Sequence, residues 1–162
     1  MEDDRKDSLV DYMEQGVDRS IETKFAVRYS ETDQMKIVHH SNYAVWFEAG
    51  RTDFFAKIGL YIGQIEESGV LLPLYEMNCR FKSPARYEDE IIVKTKLDSI
   101  AKVRIIFSYQ VINASNQKIL ATGKTMHAWT NKHLKPINAE ASVPDVYSLL
   151  SQYCLENSSE YD

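Results

Sequence analysis

From Val70 to Trp129 apolar side chains recur at every second position, which restricts this stretch to long strands with one face turned inward. Over 103–113, Val103, Ile105, Phe107, Tyr109 and Val111 share a face. Over 117–130, Ile119, Ala121, Gly123, Thr125, His127 and Trp129 do the same. The pattern predicts strands at 70–82, 90–100, 103–113 and 117–130, with Asn113-Ala-Ser-Asn116 as a turn by composition. A looser alternation over 23–30 predicts one earlier strand.

Between these strands lies one helical run. Tyr43, Phe47, Gly50, Phe54 and Ile58 recur at three- and four-residue intervals and so occupy one face. Ser41 is the expected N-cap and Gly59 the expected stop. A glycine on the apolar stripe costs about 1 kcal/mol of helix propensity against alanine. Gly50 therefore signals a helix pressed close to another element. One long helix followed by long, tightly connected antiparallel strands predicts an α+β domain. One helix leaves a sheet face or edge uncovered, so an oligomer is expected. Pro144 opens a short terminal helix carrying Val146, Leu149, Leu150 and Tyr153. Leu9, Tyr12, Met13 and Val17 give residues 1–20 the rhythm of one weak helix, or of an arm docked on a partner. The expected organisation is an extension over 1–20, one domain over 21–139, and a C-terminal helix and tail over 140–162.

Composition narrows the function. A chain of 162 residues, 44% hydrophobic, can bury one sizeable core. No apolar run approaches the roughly 20 residues of a membrane helix. Glu2, Asp3 and Asp4 do not read as a secretory signal. Cys79 and Cys154 lie far apart without metal-type spacing, which predicts two free thiols. Together these features predict a cytoplasmic protein. The net charge is −5, but the acidity sits at the ends: seven acids against three basic residues over 1–19, and five against none over 140–162. Residues 20–139 carry 16 basic and 12 acidic side chains. A mildly basic domain suits a small polyanionic ligand and not a nucleic-acid duplex, which needs a far denser footprint.

The segment from Tyr29 to Tyr43 carries the chemistry. It runs from a strand through a polar loop into a helix start, where unpaired N–H groups and the helix dipole favour negative charge. Such amides can stabilise an oxyanion formed on a carbonyl. The N–H near His40 is placed for this, and Asp33, seven residues upstream, can reach the same point as nucleophile or as base for water. The bland alternative is a turn or capping aspartate. No Gly-x-Ser-x-Gly, phosphate-loop or dinucleotide-binding glycine pattern occurs. His39, His40, His127 and His133 form no paired ligand set, so no metal is expected.

Glu31-Thr-Asp-Gln-Met-Lys-Ile-Val-His-His-Ser-Asn-Tyr43, continuing to Trp46-Phe47-Glu48, resembles the signature of hotdog-fold thioesterases. The branch includes 4-hydroxybenzoyl-CoA thioesterase and the Tol-Pal-associated acyl-CoA thioesterases. Arg80-Phe-Lys-Ser-Pro-Ala-Arg-Tyr-Glu-Asp89 and the strands through Trp129 are similar to it as well, so the resemblance covers about residues 22–135. It implies a hotdog fold, a long central helix wrapped by an antiparallel sheet of about five strands. It implies hydrolysis of an acyl-CoA thioester to a carboxylic acid and free CoA, with coenzyme A as part of the substrate and no separate cofactor. Asp33 matches the catalytic carboxylate. His40 matches the position whose backbone N–H polarises the thioester carbonyl, and its imidazole can assist. Asn42 and Tyr43 match the start of the helix, where they orient the loop and meet substrate. Arg86, Lys102 and Arg104 are the implied basic contacts for CoA. Glu48 and Arg51 are implied as a structural pair, with Glu48 the runner-up acid. Lys36 departs from the family, which has Gly there in a loop conformation a lysine resists. A homodimer or homotetramer is implied. Two alternatives stand beside this reading: a hydrolase of acyl carrier protein thioesters, and a non-catalytic acyl-CoA-binding module.

Overall fold

The computed structural model describes residues 19–154 and the backbone of 156–157; the weak helix expected near Leu9–Val17 lies outside the described residues. Strand β1 (Ile21–Ala26) leads through a 3-10 turn (Tyr29–Glu31) and a polar loop to helix α1 (Ser41–Lys57). A short α2 (Ile62–Glu67) and β2 (Val70–Leu71) precede three long strands and their edge neighbour: β3 (Leu74–Phe81), β4 (Glu90–Ile100), β5 (Arg104–Asn113) and β6 (Ile119–Ala128). The chain closes with β7 (Thr130–Asn131), α3 (Ala139–Ser142), α4 (Pro144–Tyr153) and β8 (Glu156–Asn157).

The main sheet has the order β1-β4-β5-β6-β3, antiparallel throughout, and β8 adds a short parallel pairing to β4 at Ser99 and Ile100. It wraps α1. On the inner face lie Ile91, Val93, Thr95 and Leu97 of β4, Ile105, Phe107, Tyr109 and Val111 of β5, and Ala121, Gly123, Thr125 and His127 of β6, all buried. Those of β5 and β6 are residues whose period-two spacing placed them together; Val103, of the same set, lies in the β4–β5 turn and is half exposed. The first β strand expected after Gly69 is broken in two, because Leu72-Pro73 interrupts the ladder and proline has no N–H to give it.

Helix α1 buries the predicted stripe of Tyr43, Phe47, Gly50, Phe54 and Ile58, together with Trp46 and Phe55. Its closeness to the sheet is set by two glycines. A β-carbon on Gly50 would collide with the Thr95 hydroxyl, and one on Gly123 would sit 2.6 Å from the Phe47 ring. Phe47 in turn stacks on Tyr109 with centroids 4.4 Å apart. The helix ends as expected, with Gly59 at φ 83°. Its start differs: Ser41 is already helical and His40 holds the N-cap position. The Ser41 N–H donates to Nδ1 of His39 at 3.2 Å, and the Ser41 hydroxyl lies 2.8 Å from the same nitrogen. Among the described residues no helix is long and apolar enough to cross a membrane.

Candidate active site

The loop between the 3-10 turn and α1 is a closed polar knot. Thr32 and Val38 form an isolated antiparallel bridge, the Asp33 N–H donates to the Ile37 carbonyl (2.9 Å), and the Val38 N–H donates to the Ala85 carbonyl (2.9 Å). Asp33 is half-buried, and its Oδ1 accepts the Met35 N–H at 2.8 Å. Among the described residues no hydrogen bond reaches its second oxygen. The turn closes on Lys36, which stands at φ 62° in the left-handed region. That is the conformation a glycine takes freely and a lysine takes at a cost of about 1 kcal/mol or more. Lys36 thus holds a backbone conformation that glycine would adopt more easily.

Behind the loop sits a buried carboxylate that the sequence reading did not single out. Glu31 is 4% exposed and accepts three hydrogen bonds, from the Arg28 N–H (2.8 Å), the Arg28 guanidinium (3.3 Å) and the Trp46 indole (3.0 Å). A buried charge is tolerable only with such partners. It pins the loop to the first turns of α1. Asn42 reinforces the pin, since its side-chain amide donates to the carbonyls of Glu31 (3.0 Å) and His39 (3.1 Å). Both its N–H groups are committed to the loop.

The His40 N–H is aimed differently. His39, Ser41, Asn42 and Tyr43 spend their amides on Glu31, the His39 ring, His39 and His40 respectively, while no acceptor meets the His40 amide among the described residues. An unpaired donor at a helix N-terminus is what an oxyanion site requires. Asp33 and His40 both line one surface pocket of about 370 Å³, walled by Tyr43, Phe81, Lys82 and Pro84. Tyr43 is 3% exposed, and its ring meets Phe81 edge-on at 4.9 Å. Burial raises its hydroxyl pKa, offset in part by a hydrogen bond to the Ala85 backbone. Phe81, Lys82 and Pro84 were missed as walls of the site. The sequence placed them in a family-like segment, but only the sheet register brings the end of β3 beside the loop.

The remaining sequence candidates scatter. Arg86 is exposed in the 84–89 turn, next to the pocket wall but outside the pocket lining. Lys102 and Arg104 lie at the other end of the sheet. Arg104 pairs with Ala128, whereas the pocket's end is marked by Phe81 opposite Ala121. At ~3.3 Å per residue the seven steps along β5 from Arg104 to Val111, which faces Ala121, span about 23 Å. Within one chain these two residues are therefore remote from Asp33. Glu48 and Arg51 line a second cavity of about 320 Å³ and make no ion pair with each other among the described residues. Arg51 instead donates to the Tyr109 hydroxyl at 3.1 Å. Neither cysteine forms a disulfide; Cys79 is half-buried and Cys154 buried. Among the described residues no three His, Cys, Asp or Glu side chains gather as a metal site would need.

Comparison with known proteins joins this geometry to a family. The model of the thioesterase-like superfamily matches residues 27–148, which include the loop, α1 and the whole main sheet except β1 and β8. The chain is 32% identical over 119 residues to YneP of Bacillus subtilis, provisionally named an acyl-CoA thioesterase; the match spans 74% of this chain and 86% of that protein. It is 27% identical over 128 residues to the acyl-acyl carrier protein thioesterase ATL3 of Arabidopsis thaliana, spanning 79% of this chain and 67% of that one. Among solved structures, a DHNA-CoA thioesterase from Staphylococcus aureus superposes with a TM-score of 0.79 at 29% identity, over 82% of this chain and 89% of that one. The antiparallel sheet wrapped around α1 is the hotdog fold, and the chain belongs to the thioesterase-like superfamily.

Proposed function

We propose that this protein hydrolyses acyl-CoA thioesters, with Asp33 and the His40 N–H as the reacting pair. The observation that carries the reading is their convergence on one pocket at the start of α1, the amide unpaired and the carboxylate with one oxygen uncommitted. The thioester carbonyl oxygen accepts the His40 N–H, whose helix-end position favours the charge that develops. Asp33 either adds to the carbonyl carbon, forming an anhydride that water then opens, or takes a proton from a water that adds directly. In both routes the C–S bond breaks, the thiolate leaves and is protonated, and the acid is released. Asn42 and Glu31 act as positioning residues that hold the loop against α1.

The basic residues at the far end of the sheet enter through assembly. Strand β3 is one of the two outer strands, with Leu74, Tyr75, Met77 and Phe81 each 40–53% exposed. Pairing two such edges antiparallel reverses strand direction, so Lys102 and Arg104 of one copy come to the same end as Asp33 of the other. A homodimer of this kind supplies cations for the phosphates of CoA that a single chain does not bring to its own pocket.

Similarity to an acyl carrier protein thioesterase favours a second reading, in which the acyl group arrives on a carrier protein. One experiment separates the readings. Thiol release is followed from a panel of acyl-CoAs, short to long and aromatic, and from acyl carrier protein, with wild type and Asp33→Asn. Turnover of a CoA ester that falls about 100-fold or more in the variant, the usual effect of losing a general base, is expected. Turnover of carrier-protein esters alone would favour the second reading. Tight CoA-ester binding without turnover of either would leave a binding module.

A further inference from the structure

Beside the Asp33 loop two tyrosines stand together in solvent. Tyr29 is 76% exposed and Tyr87 51%, yet their rings meet edge to face, with centroids 5.6 Å apart and planes at 88°. Among the described residues neither hydroxyl has a hydrogen-bond partner. Single exposed apolar residues are ordinary, but two large rings gathered on the surface are what a ligand covers. Their backbones are fixed. Tyr29 opens the 3-10 turn, where its carbonyl accepts the Thr32 N–H (3.1 Å) and the Thr32 hydroxyl (2.7 Å). Tyr87 lies in a turn closed by the Asp89 N–H on the Arg86 carbonyl (3.1 Å) and the Arg86 N–H on the Asp89 carboxylate (2.9 Å). Val27 ties the two turns together: its N–H donates to the Asp89 carbonyl (2.9 Å), and its carbonyl accepts the Glu88 N–H (3.2 Å).

Perpendicular rings form a corner. A third flat ring stacked on one of them meets the other edge-on, and aromatic pairs favour both arrangements. We propose that this corner receives the adenine of coenzyme A, an assignment that rests on the acyl-CoA reading above. The corner is within reach of the reacting groups. Asp33 is four residues from Tyr29, at most about 14 Å along an extended chain. Pro84 of the pocket wall is three residues before Tyr87. Thioester and adenine are the two ends of one substrate, joined by a flexible pantetheine arm and a pyrophosphate. Fixing the adenine here tethers the thioester near Asp33. Arg86 is exposed beside Tyr87, and its guanidinium has no partner among the described residues, so it is free to take a phosphate. Arg28 is already engaged by Glu31 at 3.3 Å. Glu88, exposed after Tyr87 in the chain, repels phosphate and leaves Arg86 as the cation of this turn. A carrier protein brings the same pantetheine arm without adenine, so the corner acts on CoA esters alone.

Esters of one acyl group on CoA and on pantetheine, which lacks the nucleotide, separate the two ends of the substrate. An NMR titration with adenosine 3′,5′-bisphosphate, the nucleotide portion of CoA, reads binding without turnover. In Tyr29→Ala/Tyr87→Ala, KM for the CoA ester is expected to rise about tenfold, the scale of base–aromatic stacking, with KM for the pantetheine ester within about twofold of wild type. The dissociation constant of the bisphosphate is expected to rise by the same factor. Tyr29→Phe/Tyr87→Phe keeps both rings and is expected to behave as wild type. An unchanged KM for the CoA ester in the alanine variant would overturn the proposal. So would an equal rise for both esters, which marks a damaged loop and not a lost stacking site. If wild type turns over neither ester, the hydrolase reading fails and the bisphosphate decides. Weaker binding by the alanine variant alone would then sustain the adenine site, whereas no binding by wild type, or equal binding by all three proteins, would overturn it.

Discussion

At the scale of single residues, the hydrogen-bond directions around α1 form an ordered chain. The Leu72 carbonyl only accepts, so His127 carries its proton on Nδ1 (3.1 Å) and its Nε2 accepts from Thr125 (3.0 Å). Thr125 then accepts from the Tyr109 hydroxyl (2.7 Å), whose oxygen accepts from Arg51 (3.1 Å). Arg51 is thereby tied to the segment between β2 and β3. The chain works only with neutral His127. Burial first, and Arg51 second, push its pKa down to about 4 from 6.5, and the residue is 2% exposed. The unfolded chain takes up a proton near pH 6.5 while the folded one does not until about 4. Stability contributed by neutral His127 is therefore complete above pH 6.5 and lost as pH falls from there towards 4, by about 3 kcal/mol over the window. Urea titrations at pH 7, 5.5 and 4 check this. His127→Gln is expected to be less stable at pH 7 but to lose stability less steeply below pH 6.5, by up to one proton's worth of slope. Equal slopes would mean that His127 does not carry the acid sensitivity.

At the scale of elements, α1 is governed by its contact with β4 and β6. Helix propensity alone would make Gly50→Ala favourable by about 1 kcal/mol. The collision with the Thr95 hydroxyl and the 3.0 Å approach to Val93 oppose it, and forced overpacking costs about 1–3 kcal/mol. A net loss of up to about 2 kcal/mol is expected, the ~1–3 kcal/mol of overpacking set against the ~1 kcal/mol of propensity, read as a lower urea midpoint at unchanged m-value. A gain in stability would show that the sheet gives way at little cost. The same helix explains the loop's rigidity. Trp46 spends its indole N–H on Glu31, and Asn42 its amide on the Glu31 and His39 carbonyls. Core packing and site geometry therefore share residues on neighbouring faces of one helix.

At the scale of the whole molecule, the feature that most needs a partner is the β3 edge. Its backbone pairs with β6 on one side only, and Met77 is 40% exposed on it. Unpaired hydrophobic edges invite another strand. Sedimentation is expected to show a dimer for the wild type and a shift to monomer in Met77→Glu, with a higher KM for CoA esters because Lys102 and Arg104 of the second copy are withdrawn. A monomeric wild type, or a dimeric variant with unchanged kinetics, would remove the edge from the proposed assembly.

The sequence by itself determined the strand phases, the apolar stripe of α1, and the meaning of Gly50 and Gly59. Each of these is a local property: alternation of two, spacing of three and four, or one residue's preference for a backbone region. It also placed Asp33 and the His40 amide on one loop entering a helix, because that segment is continuous in the chain. Tertiary structure alone decided the rest. Lys102 and Arg104 look like neighbours of the site in a list of basic residues, yet the register of β5 against β6 sends them to the far end of the sheet. Glu48 and Arg51 share a helix, yet the cavity wall turns Arg51 to Tyr109. Glu31 read as part of a polar segment until Trp46, fifteen residues on, supplied its donor. Phe81 and Lys82 joined the pocket because β3 crosses the sheet to end beside the loop. Contacts between residues distant along the chain depend on which elements pair and pack, and a single segment read alone does not specify its partner.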